Sequence, residues 1–157
     1  MGKIQAKQKG FTLIELLFVI AIILILSTIT IEGFQVFATR ANHTKAAHVV
    51  LGVLQEAHAR TLASMDDTSY GVHFGTESAV LFSGTVYDPG DANNDVRGLP
   101  ARTQITNVSL SNSEHEVHFA RLSGDASPTG TVTISSTRDP SASSTIIIYR
   151  TGLSEIQ

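Results

Sequence analysis

The sequence predicts an α+β fold in which a long N-terminal helix packs on a C-terminal antiparallel β-sheet domain. The helix is predicted because no proline occurs before Pro89 and only two glycines fall within residues 11–70. Such a gap in helix breakers allows one helix from about residue 11 to about residue 64. The sheet is predicted because short β-type runs separated by turn residues follow Thr68.

The first 31 residues divide into a basic head and an apolar run. Residues 1–10 carry three lysines and no acid, whereas residues 11–31 contain only five polar side chains. A 21-residue helix is roughly 30 Å long, the thickness of a hydrocarbon core. Residues 11–31 are therefore predicted to span a membrane once. The lysines favour a cytoplasmic N-terminus, with the C-terminal bulk on the outer side.

Residues 32–64 are predicted to form an amphipathic second half of the same helix. Apolar and weakly polar side chains recur there at spacings of three and four, which predicts a stripe that needs a surface to bury against. The predicted stripe runs through Phe34, Phe37, Ala41, Thr44, His48, Leu51, Gln55, His58 and Leu62, with Ala38, Val50, Leu54 and Ala57 beside it.

Residues 65–157 are predicted to form a strand-rich globular domain, and residues 65–67 are predicted to end the helix. The predicted strands are 69–74, 79–86, 104–110, 116–122, 131–135 and 145–150. Residues 124–130 are predicted to join the fourth and fifth strands as a hairpin, and residues 87–102 to form the longest connection.

Charge and cysteine content limit the function. Without residues 1–10 the basic count falls from 11 to 8 while the acidic count stays at 14, so the net charge changes from −3 to −6. This balance disfavours a polyanionic partner. Because the chain has no cysteine, thiol catalysis and thiolate metal sites are excluded, and the domain is predicted to be stabilised by its core alone.

Glu15 lies only five residues inside the apolar run. An ionised carboxylate at membrane depth costs roughly 2.5–3.5 kcal/mol on insertion scales, so such a residue usually has a partner or a function. If the chain is cut after Gly10, the new α-amino group of Phe11 is a cation at the head of the same helix. Packing such helices side by side lets the amine of one chain face Glu15 of another, which fixes their axial register.

The stretch Gly10-Phe11-Thr12-Leu13-Ile14-Glu15-Leu16-Leu17 resembles the processing and methylation motif of type IV prepilins and type II secretion pseudopilins. The resemblance implies that a membrane prepilin peptidase cuts after Gly10 and methylates Phe11. It also implies that Glu15 directs assembly with other pilin or pseudopilin subunits on an inner-membrane assembly platform. The chain would then be a structural filament subunit, not an enzyme, with no cofactor, no catalytic residue and no metal.

Two further comparisons refine this resemblance. Many major pilins carry a proline about 22 residues after the cut, where this chain has Glu32-Gly33. Glycine costs about 1 kcal/mol relative to alanine inside a helix, so melting in a filament is predicted to centre on Gly33.

The C-terminal part, from AHARTLASMDDTSYGVHF to the closing IIIYRTG, resembles H-type pseudopilins and T-type minor pilins. The sequence leaves open a secretion pseudopilus, a pilus or a DNA-uptake system, and a major or a minor subunit.

The loop at residues 88–95 and the histidines are the two candidate metal sites in the sequence. The loop Asp88-Pro89-Gly90-Asp91-Ala92-Asn93-Asn94-Asp95 offers hard oxygen ligands. Calcium could use them, but the spacing is not that of an EF-hand, and a solvated turn is favoured. Among the histidines, His43 and His48 share a helical face poorly, and His115 and His118 fall on opposite faces of a strand. Ordinary surface or half-buried histidines are favoured.

The alternatives to a structural subunit are a minor pilin that binds DNA or a surface, and an anchored enzyme. Arg121, Arg138 and Arg150 are the candidate basic patch for DNA, but isolated exposed arginines are favoured over a cluster. An enzyme is disfavoured because no Gly-x-Ser-x-Gly elbow or other nucleophile context is present.

Overall fold

The computed structural model describes residues 10–139 and 141–157, except for the side chains of residues 28–39. The chain divides into two compact units, Met1–Phe37 and Ala38–Gln157. The elements are α1 Leu13–Leu62, a 3₁₀ turn Met65–Asp67, β1 Tyr70–Phe74, β2 Ser78–Ser83, β3 Asp95–Gly98, β4 Thr103–Leu110, β5 Glu116–Phe119, β6 Ala126–Ser127, β7 Gly130–Ser136, β8 Ser143–Ile148 and β9 Ser154–Ile156.

The predicted long helix is present, and its bounds lie within two residues of the predicted ones at each end. It includes Gly33; the predicted loosening there concerns a filament and stays a prediction. Among the residues described, no helix carries an apolar stretch long enough to cross a membrane. The last four residues of the predicted span, 28–31, lie outside the part of the chain whose side chains are described.

Two antiparallel sheets make up the rest of the second unit. One has the strand order β3-β2-β1-β5-β6 and the other β4-β7-β8-β9. In the first sheet Val72 lies opposite Leu81, and in the second Val132 lies opposite Ile146; all four side chains are buried. The alternation of strand side chains sends these residues to one face of each sheet. The α+β fold class predicted from the sequence is confirmed.

One hydrophobic core joins both sheets to the second half of α1. The helix contributes Val50, Leu54 and Ala57, the first sheet Phe119, and the second sheet Ile146, and none of these side chains is exposed. Alanines on the buried face of α1 allow the strands to approach the helix backbone closely.

The apolar stripe predicted for α1 is right in part. Among the side chains that the structure describes, those buried on the helix are His43, Ala46, Ala47, Val50, Val53, Leu54, Ala57 and Thr61. Val50, Leu54 and Ala57, which were predicted beside the stripe, are therefore confirmed, but the main line is misplaced. Thr44, His48 and Gln55, which the predicted stripe contained, are exposed. At 100° per residue the buried face lies about a third of a turn from the predicted one. The error arose because the predicted line passed through polar side chains, whereas the true line collects alanine and valine.

The predicted hairpin through residues 124–130 is also wrong. β5 pairs with β1 and β6, whereas β7 pairs with β4 and β8, so the chain crosses here from one sheet to the other. Val117 and Ile134 are both fully buried in the common core. Because two facing sheets bury their side chains against each other, alternation predicts the inward face of a strand but not its sheet.

Three strands were not predicted: β3, which lies within the predicted connection 87–102, β6 and β9. They are two to four residues long, which is too short to show an apolar alternation. In addition, all side chains of β3 are half-buried or exposed. The connection that remains between β2 and β3 covers the outer face of the first sheet. There the Tyr87 ring stacks on His73 at 4.1 Å and lies 5.7 Å from the Phe82 ring.

Candidate functional site

The candidate site is the start of α1, where Gly10, Phe11 and Thr12 precede the first helical residue. A side chain added at Gly10 would meet nothing within 4 Å, and the Phe11 side chain is 86 % exposed. The peptide bond between Gly10 and Phe11 therefore lies in open, non-helical backbone. Accessible backbone outside regular secondary structure is where proteases preferentially cut.

Thr12 caps the helix. Its hydroxyl accepts a hydrogen bond from the backbone N–H of Glu15 at 3.3 Å, and its carbonyl accepts one from Leu16 at 3.2 Å. A threonine followed three residues later by glutamate is the sequence form of a capping box, in which the helix begins just after the threonine. This role of Thr12 was not predicted, although the Thr-x-x-Glu pattern indicates it.

Glu15 lies in the first turn of α1, and its side chain is exposed in the single chain. The positive end of the helix dipole stabilises a carboxylate at this position. The large apolar side chains around it are exposed as well, including Phe11, Leu13, Ile14 and Phe18. Glu15 is thus a carboxylate on an apolar helical surface that the described part of the chain does not cover.

Three carboxylates of the loop at residues 88–95 bind donors nearby. Asp88 accepts the backbone N–H of Gly90 at 2.8 Å through Oδ1, and Asp91 Oδ1 accepts two N–H groups of Asn93 at 2.9 Å. Arg97 binds Asp95 and lowers the pKa of that carboxyl. Within the described ranges, no three histidine or acidic side chains converge on one point as metal ligands.

The histidines are dispersed. His43 is buried, with its Nε2 3.3 Å from the Ile134 carbonyl, while His48 on the same helix is exposed. His73 has its Nδ1 3.8 Å from Glu116, and burial lowers its pKa more than Glu116 raises it.

The three arginines of the candidate DNA patch do not all lie at one end of the unit Ala38–Gln157. Arg121 pairs with Asp67, just beyond the end of α1. Arg150 lies beyond β8, where its carbonyl accepts the N–H of Ala126. Arg138 lies beyond the end of β7, which is the opposite end of the second sheet because β7 and β8 are antiparallel. These three positions do not form one patch for a polyanion.

Comparisons with known proteins agree with the sequence resemblance. Residues 5–31 match the family model described as the prokaryotic N-terminal methylation motif. Two curated relatives, each described as a fimbrial protein of Pseudomonas aeruginosa, are 40 % identical over 82 residues, which is 47 % of this chain and 53 % of theirs. The chain thus spans about half the length of the curated relatives it matches.

A solved structure supports the fold. The type IV minor pilin FimU of Pseudomonas aeruginosa aligns with a TM-score of 0.57 at 11 % identity, covering 77 % of this chain and 92 % of that one. At this identity the likeness concerns the fold. The motif at the N-terminus confirms the resemblance to the type IV pilin family, and the solved minor pilin confirms the fold.

Proposed function

We propose that this chain is a structural, non-enzymatic subunit of a type IV pilus or a related secretion pseudopilus. The observation that supports it most directly is the methylation motif at residues 5–31 at the head of a long helix. The fold shared with a minor pilin supports the same role. Its partners are then other pilin subunits, a prepilin peptidase that also methylates, and an inner-membrane assembly platform.

The first step of this function is cleavage after Gly10. Hydrolysis of the Gly10–Phe11 bond releases the basic leader and leaves the α-amino group of Phe11 at the new N-terminus, where the methyl group is added. The open backbone at Gly10 and the start of α1 only at Leu13 keep this bond outside the helix. The chemistry belongs to the peptidase, and this chain supplies the substrate.

The second step is assembly through Glu15. Its backbone N–H is bound by Thr12 of the same chain, while its side chain is exposed. The carboxylate is therefore accessible to the Phe11 amine of a neighbouring subunit. An ion pair between apolar helices is poorly screened, so a helix in the wrong register would leave both charges unpaired at a cost of several kcal/mol.

Before assembly, the apolar segment anchors the subunit. We propose a single membrane pass over residues 11–31, with the N-terminus in the cytoplasm and the C-terminal domain on the outer side. This proposal is based on the length of the apolar run and on the lysines before it. When the subunit leaves the membrane, neighbouring helices in the filament rebury the same apolar surface.

The test combines mass spectrometry of the mature N-terminus with an assembly assay on sheared surface material. The expected N-terminus is a methylated Phe11. Glu15→Ala is expected to be processed but to lower the amount of filament by at least tenfold, roughly the effect of losing one desolvated charge pair.

Thr12→Ala serves as the matched control, because it removes the helix cap and keeps the charge. It is expected to assemble within about twofold of wild type, since an N-cap contributes only about 1 kcal/mol. A mature chain that still begins at Met1 or Gly2 would refute the processing step. Normal filaments from Glu15→Ala would refute the role of Glu15.

A further inference from the structure

Three arginines from three separate segments meet at one end of the unit Ala38–Gln157. Asn42 of α1 donates to the Ala101 carbonyl at 3.4 Å, and the Thr137 N–H donates to the Arg102 carbonyl at 3.0 Å. These bonds bring together Arg40, Arg102 and Arg138, all of them exposed. We name this cluster the basic end.

Positive charge exceeds negative charge at the basic end. Lys45 adds a cation five residues further along α1. Among the described residues, the acidic ones in the neighbouring segments are Asp139 and Glu77, whose backbone carbonyl accepts the Leu99 N–H. Hydrogen bonds from Ser141, and to a lesser degree attraction to Arg40, lower the pKa of Asp139. Arg102 and Lys45 form no ion pair with any residue that the structure describes.

Arg102 also has a left-handed backbone, with φ of 66°. L-residues other than glycine, asparagine and aspartate adopt this conformation at a cost, and such outliers are found preferentially at functional positions. The turn at Arg102 thus displays a guanidinium where glycine would be the less strained residue.

A pocket of about 430 Å³ lies at the opposite end of the same unit, next to the last turn of α1. We name it the acidic pocket, and its polar lining consists of Arg60, Asp66, Tyr70, Ser83, Asp91 and Asn93.

The cations near the acidic pocket are already neutralised. Arg60 binds Glu56 at 2.5 Å, and Arg97 binds both Glu56 and Asp95, so two arginines balance two carboxylates. Arg121 in turn pairs with Asp67.

Asp66 and Asp91 are then left without a counter-charge. Asp66 accepts a hydrogen bond from the Tyr70 hydroxyl at 2.7 Å, and Asp91 accepts one from the Asn93 backbone at 2.9 Å. Both donors are neutral. Neither carboxylate forms an ion pair within the described ranges.

The two ends of one molecule are too far apart to neutralise each other. Arg40 and Arg60 are separated by twenty residues of α1, or roughly 30 Å. Salt screens exposed charges beyond about 8 Å at physiological ionic strength. The basic end and the acidic pocket are therefore complementary only between molecules. A contact between two different surfaces of identical subunits leaves one of each surface free in a dimer, so it produces a ring where the rotation closes and an open filament where it does not.

We propose that the basic end of one copy of this chain, with Arg102 at its tip, docks in the acidic pocket of the next copy. This inference depends on the proposed function, because it names a contact within the filament. It places a guanidinium against Asp66 and Asp91, in addition to the contacts between N-terminal helices.

Single charge reversals and their combination in the full-length chain test this contact. Arg102→Glu is expected to lower the amount of sheared filament about tenfold, since it places like charges opposite each other, and Asp91→Lys is expected to do the same. The double variant restores opposite charges and is expected to recover to within about threefold of wild type. Arg150→Glu is the matched control, with the same change in net charge, and is expected to assemble normally. Equal melting temperatures exclude misfolding.

The absence of native cysteine permits a second measurement. Filaments of a chain carrying both Arg102→Cys and Asp91→Cys are expected to give a ladder of disulfide-linked multimers on oxidation, whereas Arg150→Cys with Asp91→Cys gives none.

Four outcomes would overturn the contact. The first is normal assembly of Arg102→Glu, and the second is failure of the double variant to recover while its domain is folded. The third is salt-dependent binding of duplex DNA that Arg102→Glu abolishes without affecting assembly, which would make the basic end a polyanion site. Absence of filaments from the wild-type chain would instead refute the proposed function, and the docking contact with it.

Discussion

Residues 11–26 expose their large apolar side chains, whereas the unit Ala38–Gln157 buries most of its own. The thirteen large apolar side chains of the first segment are 47–86 % exposed. In the second unit, buried side chains of α1 and of both sheets, among them Val50, Phe119 and Ile146, form one hydrophobic core. Burial of apolar surface contributes roughly 25 cal/mol per Å². The second unit gains this free energy within one chain. The first segment gains that free energy only from a membrane or from neighbouring chains.

This difference separates stability from assembly. Substitutions in the core of the second unit should unfold it and affect filaments only indirectly. Substitutions on the apolar segment should leave the unfolding of that unit unchanged and act directly on association. Phe119→Ala and Leu17→Ala test this separation directly, and substitutions at Gly152, Thr61 and His73 test the stability of the second unit itself, from the largest expected effect to the smallest.

The largest effect is expected from Phe119→Ala. Phe119 is fully buried, and its ring lies 5.4 Å from that of His58 on α1. Its truncation should lower the free energy of unfolding by about 3–5 kcal/mol, measured by urea denaturation. Leu17→Ala is the comparison, because Leu17 is 56 % exposed in the single chain; it should change that free energy by less than about 0.5 kcal/mol. If both substitutions lowered the free energy of unfolding equally, the separation of stability from assembly would be wrong.

Gly152→Ala should destabilise the second unit by about 2 kcal/mol. Gly152 has φ of 80°, and an added Cβ would lie within 2.5 Å of the His58 ring. The substitution therefore combines backbone strain with a clash against α1. Gly98→Ala is the matched control, since nothing lies within 4 Å of a Cβ there, and its midpoint in urea should stay within error of wild type. A stable Gly152→Ala protein would show that the turn can shift.

Thr61→Val should cost about 1–2 kcal/mol. The Thr61 hydroxyl is fully buried; it donates to the Ala57 carbonyl at 2.8 Å and accepts the Tyr70 N–H at 3.0 Å, which links α1 to β1. Valine keeps the shape and leaves that N–H without a partner. Thr44→Val is the control, because its exposed hydroxyl donates to the Arg40 carbonyl within the same helix and does not link α1 to a strand among the described residues. Thermal unfolding of both variants measures the difference.

The sequence was sufficient to predict the helix and the change to strands, because both depend on local signals. A long absence of proline and glycine predicts α1, and short β-type runs predict β1, β4 and β8 within a few residues. The motif around Gly10 and Glu15 was equally readable, since it is contiguous.

Non-local features were not predictable from the pattern. Whether β5 and β7 share a sheet is decided by packing in three dimensions, and alternation is the same in either case. β3 forms because β2 offers an edge and because Arg97 binds Glu56 of α1. The basic end likewise combines residues 40, 102 and 138, which no spacing rule connects. The position of the buried face on α1 was readable in principle, because alanine and valine mark it.

The smallest effect is expected from His73, which should make the stability of the second unit depend on pH. Burial lowers the pKa of His73 below its ordinary value in the folded chain, although Glu116 acts in the opposite direction. The unfolded chain then binds more protons than the folded chain in the window below about pH 6.5. The stability that His73 contributes is complete above that pH and declines as the pH falls through the lower, folded pKa.

Melting temperatures of wild type should therefore drop between pH 7 and pH 5 by more than those of His73→Phe, which keeps a ring to stack on Tyr87. His48→Phe, at an exposed position on α1, should behave like wild type, and a pH profile of His73→Phe parallel to wild type would assign the drop to other groups.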